Sequence, residues 1–155
     1  MKLAGALGYL WALPTTLLGL AVAGLSAATG GRLSCRAGVL ESCGGWGARL
    51  LRSPLFRAQA MALGHVIVAI DEARLAEIRE HELAHVRQAE LWGPLFLPAY
   101  LAASGWAVAR GRHHYRDNWF ERDAERRATA SALVRSSALR PAPRAGCAGG
   151  RGRSG

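Results

Sequence analysis

Lysine is all but missing from this chain. Of its 20 Lys and Arg residues only Lys2 is a lysine, and 11 Asp and Glu oppose them, leaving a net charge of +9. Such a balance points to nucleic acid or to an anionic surface. The sequence has no basic stripe interleaved with aromatics and no nucleic-acid motif, so no specific nucleic-acid partner is expected. Arginines scattered beside apolar segments suit the headgroups of membrane lipid better. Cysteine is scarce and odd in number: Cys35, Cys43 and Cys147, with no C-x-x-C pair. That implies neither a disulfide framework nor a thiolate zinc site; Cys35 and Cys43 either pair in an oxidising compartment or stay free thiols. There is no internal repeat.

Charge is absent from two long stretches. Residues 3–29 carry none, a length that suits a bilayer span. Pro14 is tolerable in a membrane helix. The expectation is an uncleaved N-terminal anchor over residues 1–30; the alternative is a cleaved export signal with Lys2 as its n-region. Arg32, Arg36, Arg49, Arg52 and Arg57 follow the run, and by the positive-inside rule they place the rest of the chain on the cytoplasmic side, in a bacterium that of the inner membrane. Residues 91–109 are also uncharged and nearly long enough to span. From residue 136 onwards Pro, Gly, Ala, Ser and Arg dominate without an acidic residue, which reads as a disordered basic tail over 136–155.

What is present is concentrated between these runs. Residues 81–85 read His-Glu-Leu-Ala-His, an HExxH pentapeptide. On an α-helix His81 and His85 stand one above the other and can send two imidazoles to one Zn²⁺. Glu82 lies about 100° round the helix from His81, outside the ligand face but placed to take a proton from a zinc-bound water. The helix itself is well signalled over 71–92. Asp71 is a candidate N-cap, Glu72 suits the first turn, Leu75, Ile78 and His85 recur at helical spacing, and Gly93-Pro94 ends it. Upstream, residues 64–70 are β-branched and bounded by Gly64 and Asp71, which reads as a short strand whose edge can pair with an extended peptide. Residues 36–42 suggest a short hairpin strand with Gly44-Gly45 as a turn; residues 57–63 read as a helical turn or the approach to the strand.

An open zinc site needs a third protein ligand. The best source is residues 118–125, expected to be helical, where Glu121 and Glu125 share one face at i, i+4. HExxH followed by Glu121-Arg122-Asp123-Ala124-Glu125 resembles the gluzincin-type metallopeptidases with their E-x-x-A-[D/E] box. The resemblance implies that Glu121 is the third ligand, that Ala124 permits close helix approach, and that Glu125, where those families usually have Asp, orients a ligating histidine from behind. The longer string of His81 to Gln88, Trp92-Gly93-Pro94 and Asn118 to Ala124 is similar to a group of small bacterial HExxHxxQ proteins of undetermined substrate. No clear counterpart of the oxyanion-stabilising Tyr or His of larger gluzincins stands out. Tyr100 and Tyr115 can polarise a carbonyl, though packing suits each better, and His65, His113 and His114 read as structural or loop residues. A plainer reading makes His81, Glu82 and His85 ordinary polar residues of a surface helix and pairs Glu121 with Arg126.

These readings combine into a mostly α protein with a short β element (α+β). A minimal zincin-like domain over 31–135, with an apolar helix at 91–109, follows the N-terminal membrane helix. The expected activity is that of a membrane-associated zinc-dependent hydrolase acting on a peptide or protein substrate, with Zn²⁺ as cofactor. The alternative is a non-catalytic membrane protein with a structural or sensory zinc site. The run at 91–109 tests the scheme from within. His81 and His85 precede it and Glu121 follows it, so a single traverse of the bilayer would separate ligands that must meet one metal. It must dip and return, lie along the interface, or pack as a core helix.

Overall fold

A computed structural model describes residues 3–138. In chain order the elements are α1 (Leu3–Trp11), α2 (Leu13–Ala28), β1 (Arg32–Arg36), β2 (Val39–Cys43), α3 (Gly45–Arg52), β3 (Ala60–Leu63), β4 (Val66–Ala69), α4 (Glu72–Trp92), a 3₁₀ turn (Gly93–Leu95), α5 (Phe96–Ala109) and α6 (Trp119–Ala138). The protein is mostly helical with one small sheet, an α+β arrangement.

The sheet is larger than the single strand and hairpin expected. Its order is β1-β2-β4-β3, with β2 and β4 parallel and the outer pairs antiparallel. β4 sits inside it and is buried along its whole length. Val66 and Val68 face α2 and α3, packing with Ala23 and Leu51, while Ile67 and Ala69 face α4, packing with Leu75 and Val86. This is why the strand reads as a continuous β-branched run rather than an alternating one. Ile67 is wholly buried, so Ile67→Ala is expected to cost about 2–5 kcal/mol of stability, measured by denaturant unfolding.

The hairpin turn falls at Ala37-Gly38, inside the stretch expected to be strand. Both residues have positive φ, 52° and 84°, the backbone that a two-residue hairpin needs and that glycine accepts most readily. Gly44-Gly45 instead turns the chain into α3. β3 was open between a helical turn and an approach to the strand because Ala60-Met61-Ala62-Leu63 has no β-branched residue; its pairing to β4 through the turn at Gly64-His65 makes it a strand. Cys35 and Cys43 are free thiols. The register sets them opposite Leu40 and Arg32 respectively, not opposite each other.

The expected N-terminal membrane helix is corrected most. The uncharged run forms two helices of 9 and 16 residues interrupted at Ala12. Pro14 lacks the N–H that would continue the ladder through this point. Thr15, Gly19, Ala23 and Ser26 bury one side of α2, and Ala23 shares a core with Val66 and Val68. The small residues on that side let α2 approach the sheet closely. A Cβ at Gly19 would lie 2.7 Å from both the Leu63 carbonyl oxygen and the Val66 Cβ. Among the described residues no helix is long and apolar enough to cross a membrane.

The second apolar run divides into the 3₁₀ turn and α5. Gly93, at φ 56°, ends α4 and leaves room that the Trp11 indole fills. Asn118, fully buried, ties the start of α6 to α5: its Nδ2 donates to the Tyr100 carbonyl at 3.1 Å and to Ser104 Oγ at 2.8 Å, and its Oδ1 accepts from the Phe120 N–H at 2.9 Å. α6 continues through Ala138, past the start expected for the basic tail; the rest of that tail, with Cys147, lies outside the described residues.

Candidate metal centre

Helix α4 begins where the sequence places its cap, with Asp71 Oδ1 accepting from the Arg74 N–H at 2.8 Å. Starting there, its periodicity turns Leu75 and Val86 to the sheet and His81 and His85 towards α6. Phe96 and Phe120 join Ala89 in a second core, and Ala124 is fully buried. The two helices therefore approach closely, and the chain returns between them through α5, so the residues before and after the apolar run meet on one side of it.

The meeting point is compact. His81 Nε2 and His85 Nε2 are 3.1 Å apart, Glu121 Oε2 is 3.1 Å from His81 Nε2, and Glu121 Oε1 is 3.4 Å from His85 Nε2. Bonds of about 2.0–2.1 Å at tetrahedral angles put neighbouring ligand atoms about 3.3 Å apart. Two imidazoles and one carboxylate form a donor set suited to Zn²⁺. A second observation fits the same ion: Glu82 is buried and its Oε2 has no hydrogen-bond partner. Burial raises the Glu82 pKa, against His85 and His81, which lower it together with the nearby Ala62 backbone N–H.

The electrostatics turn on Glu121. Burial works to raise its pKa, but hydrogen bonds with His81, His85 and Tyr100 and the charge at His85 hold it well below the usual carboxylate range. His85 answers in kind: burial would lower its pKa, and Glu121 with Glu82 outweighs that and raises it. Both shifts favour the ion-paired form of the cluster, whereas an imidazole nitrogen ligates a metal only when neutral.

Support from behind the ligands differs from the expectation. Glu125, proposed to orient a histidine, is largely exposed and its Oε2 stands 3.6 Å from His81 Nδ1, an ion-pair distance rather than a hydrogen bond. The closer support goes to His85 through Gln88, whose Oε1 is 2.8 Å from His85 Nδ1. With Nδ1–H donating to Gln88, Nε2 presents its lone pair to the metal. Gln88 Nε2 in turn donates to the Phe120 carbonyl and to Asp123 Oδ2, both at 3.0 Å, and Asp123 is held by Arg127 at 2.7 Å. Gln88 was present in the HExxHxxQ string, but its partner on α6 was not readable locally. Gln88→Ala is expected to weaken zinc affinity about 10–100-fold, read by competition with a zinc chelator.

Tyr100 was expected chiefly to pack. It also donates from its hydroxyl to Glu121 Oε1 at 2.5 Å, and burial, followed by that hydrogen bond and the Glu121 charge, raises its pKa. Burial, followed by the Glu121 charge and a hydrogen bond with Glu121, raises that of Tyr115. His113 and His114 stack on each other in an exposed loop. His65 is buried, stacked on Tyr9, with Nε2 3.0 Å from Glu90. Arg126 approaches Asp123, not Glu121. Among the described residues, His81, His85 and Glu121 are the group able to hold a metal ion. Glu121→Gln is expected to weaken zinc retention more than Glu125→Gln in a zinc competition assay; a larger loss from Glu125→Gln would reverse the two roles.

No family model, curated protein or solved structure matches the chain.

Proposed function

We propose that the protein is a membrane-associated zinc-dependent hydrolase of the peptidase class, with a zincin-like site. The observation that carries this reading is the convergence of His81 Nε2, His85 Nε2 and the Glu121 carboxylate beside a buried Glu82 whose Oε2 is unpartnered. Bound there, Zn²⁺ would lower the pKa of a water to about 7 and polarise a substrate carbonyl. Glu82 takes the proton of the attacking water as its oxygen bonds to the carbonyl carbon. It then returns that proton to the leaving amine as the C–N bond breaks. Gln88 fixes the His85 ring, and Tyr100 fixes the Glu121 carboxylate.

The substrate is an extended peptide segment. Among the described residues β3 closes one side of the sheet with β4 as its only strand neighbour, and Ala62 on it lies beside Glu82. A peptide added along the outer edge of β3 would run past the general base with its backbone held by hydrogen bonds. The test is zinc-dependent cleavage of a peptide library by the wild type, set beside Glu82→Gln.

A second reading is a zinc site that serves structure or sensing and turns nothing over. Its support is the enclosure of the cluster: His85, Glu121 and Glu82 are all buried, and His81 is the one ligand partly open to solvent. Wild type that holds zinc and cleaves no peptide would favour it.

A further inference from the structure

Exposed apolar side chains occur on several elements, α2 and α6 among them, and one group of them runs along α5. We propose that the outward side of α5, continued through the 3₁₀ turn onto α1, is a lipid-docking face that lies in the interface of an anionic membrane. This rests on the membrane association proposed above but not on the zinc site.

α5 has no charged residue and is apolar on every side, yet only Phe96 and Ala107 of its 14 residues are buried. A helix of that composition needs an apolar cover on the sides its own protein leaves open. Its inner side is defined by Phe96, Tyr100 and Ala103, which join the core with Phe120, and by Ser104, bonded to Asn118. Its outer side presents Leu101, Trp106 and Val108, exposed by 68%, 62% and 58%. The face continues towards α1, with Glu90, paired with His65, at its margin. Leu91, Trp92 and Leu95 are exposed around the turn, Trp11 packs against Gly93, and Leu7 and Leu10 line a shallow apolar hollow with Trp11.

Charge and length select the occupant. The core of a protein–protein interface is only about 65% apolar, whereas this face offers almost no polar side chain. Its border at the far end of α5 is basic: Arg110 lies over the Trp106 ring at 4.5 Å, and Arg112 and Arg116 follow, all exposed. Asp117, the one acid there, is used by the His113 N–H. An indole beside guanidinium groups at the end of an apolar helix matches the boundary between acyl chains and phosphates. The helix rises about 21 Å, short of the roughly 30 Å hydrocarbon core. With Arg110 at one end and Glu90 just before the other run begins, it lies in the interface plane and does not cross it. Tyr100, on the inner side of α5, bonds to Glu121. The metal centre thus sits about one helix diameter, roughly 10 Å, from the lipid.

The test is flotation of the purified full chain with vesicles of phosphatidylcholine alone and of phosphatidylcholine with phosphatidylglycerol. Wild type should float with the mixed vesicles, and less with the neutral ones. Arg110→Gln/Arg112→Gln should lower binding to the mixed vesicles by roughly tenfold. Leu101→Ser/Val108→Ser should lower binding to both, with unchanged circular dichroism. Brominated acyl chains should quench wild-type tryptophan fluorescence, and Trp106→Phe should remove part of that quenching. His81→Ala should float as wild type does, which separates this face from the zinc reading. Wild type that floats with neither vesicle would overturn the proposal. So would equal flotation of Leu101→Ser/Val108→Ser, or a stable dimer that the same substitutions dissociate, since a second copy would then be the cover.

Discussion

Glu82→Gln is expected to leave zinc content and thermal stability near wild type while peptide hydrolysis falls by about 10²-fold or more. Glutamine keeps the size of the side chain and a carbonyl oxygen to face the Ala62 N–H. It cannot accept a proton from water at neutral pH. Glu82 is not among the three residues able to hold a metal ion, so the substitution removes no candidate ligand. Burial already works against that charge, which means the neutral amide carries no added desolvation cost. The measurement pairs elemental zinc with cleavage of a peptide library. Robust cleavage that survives Glu82→Gln would refute the mechanism, whereas zinc binding without cleavage in either protein would favour the structural site.

His81→Ala and His85→Ala are each expected to abolish most of a zinc content close to one per chain. The site offers three protein ligands, and losing one leaves two where open zinc sites use three. The two substitutions should differ in their side effects. His85 is buried and bonded to Gln88, so its removal also leaves the Gln88 Oε1 without its partner and should lower stability further. His81 is partly exposed and should lose metal with less structural cost. Equal zinc in wild type and both variants, by elemental analysis of purified protein, would sink the metal reading and the proposed chemistry with it.

The parts of this protein that the sequence announces are those decided by neighbouring residues. The Asp71 cap, the glycine stop at Gly93 and the four-residue spacing of His81 and His85 follow from backbone sterics and helical pitch. β4 is readable because four consecutive apolar residues, three of them β-branched, leave no polar side to expose. β3 is not, because Ala, Met and Leu suit helix as well as strand and only its pairing with β4 decides. The uncharged run at the N-terminus shows how composition can mislead. Its lack of charge fits a bilayer span, but Thr15, Gly19, Ala23 and Ser26 form a side of small residues that fits a sheet, and packing chose the sheet for that side.

The same division holds at the candidate metal centre. The sequence by itself determined the two histidines, the acid between them and a downstream helix bearing Glu121, since each is fixed by local spacing. Only the tertiary structure decided that Glu121 comes within 3.1 Å of His81, that Gln88 with Asp123 supports His85 more closely than Glu125 supports His81, and that Tyr100 holds Glu121. Apart from Gln88 and His85, both on α4, those pairs lie on different helices, and nothing in local periodicity sets the angle and depth at which α4, α5 and α6 meet. Burial of Phe96, Phe120 and Ala124, with the Asn118 hydrogen bonds that lock α6 to α5, sets both.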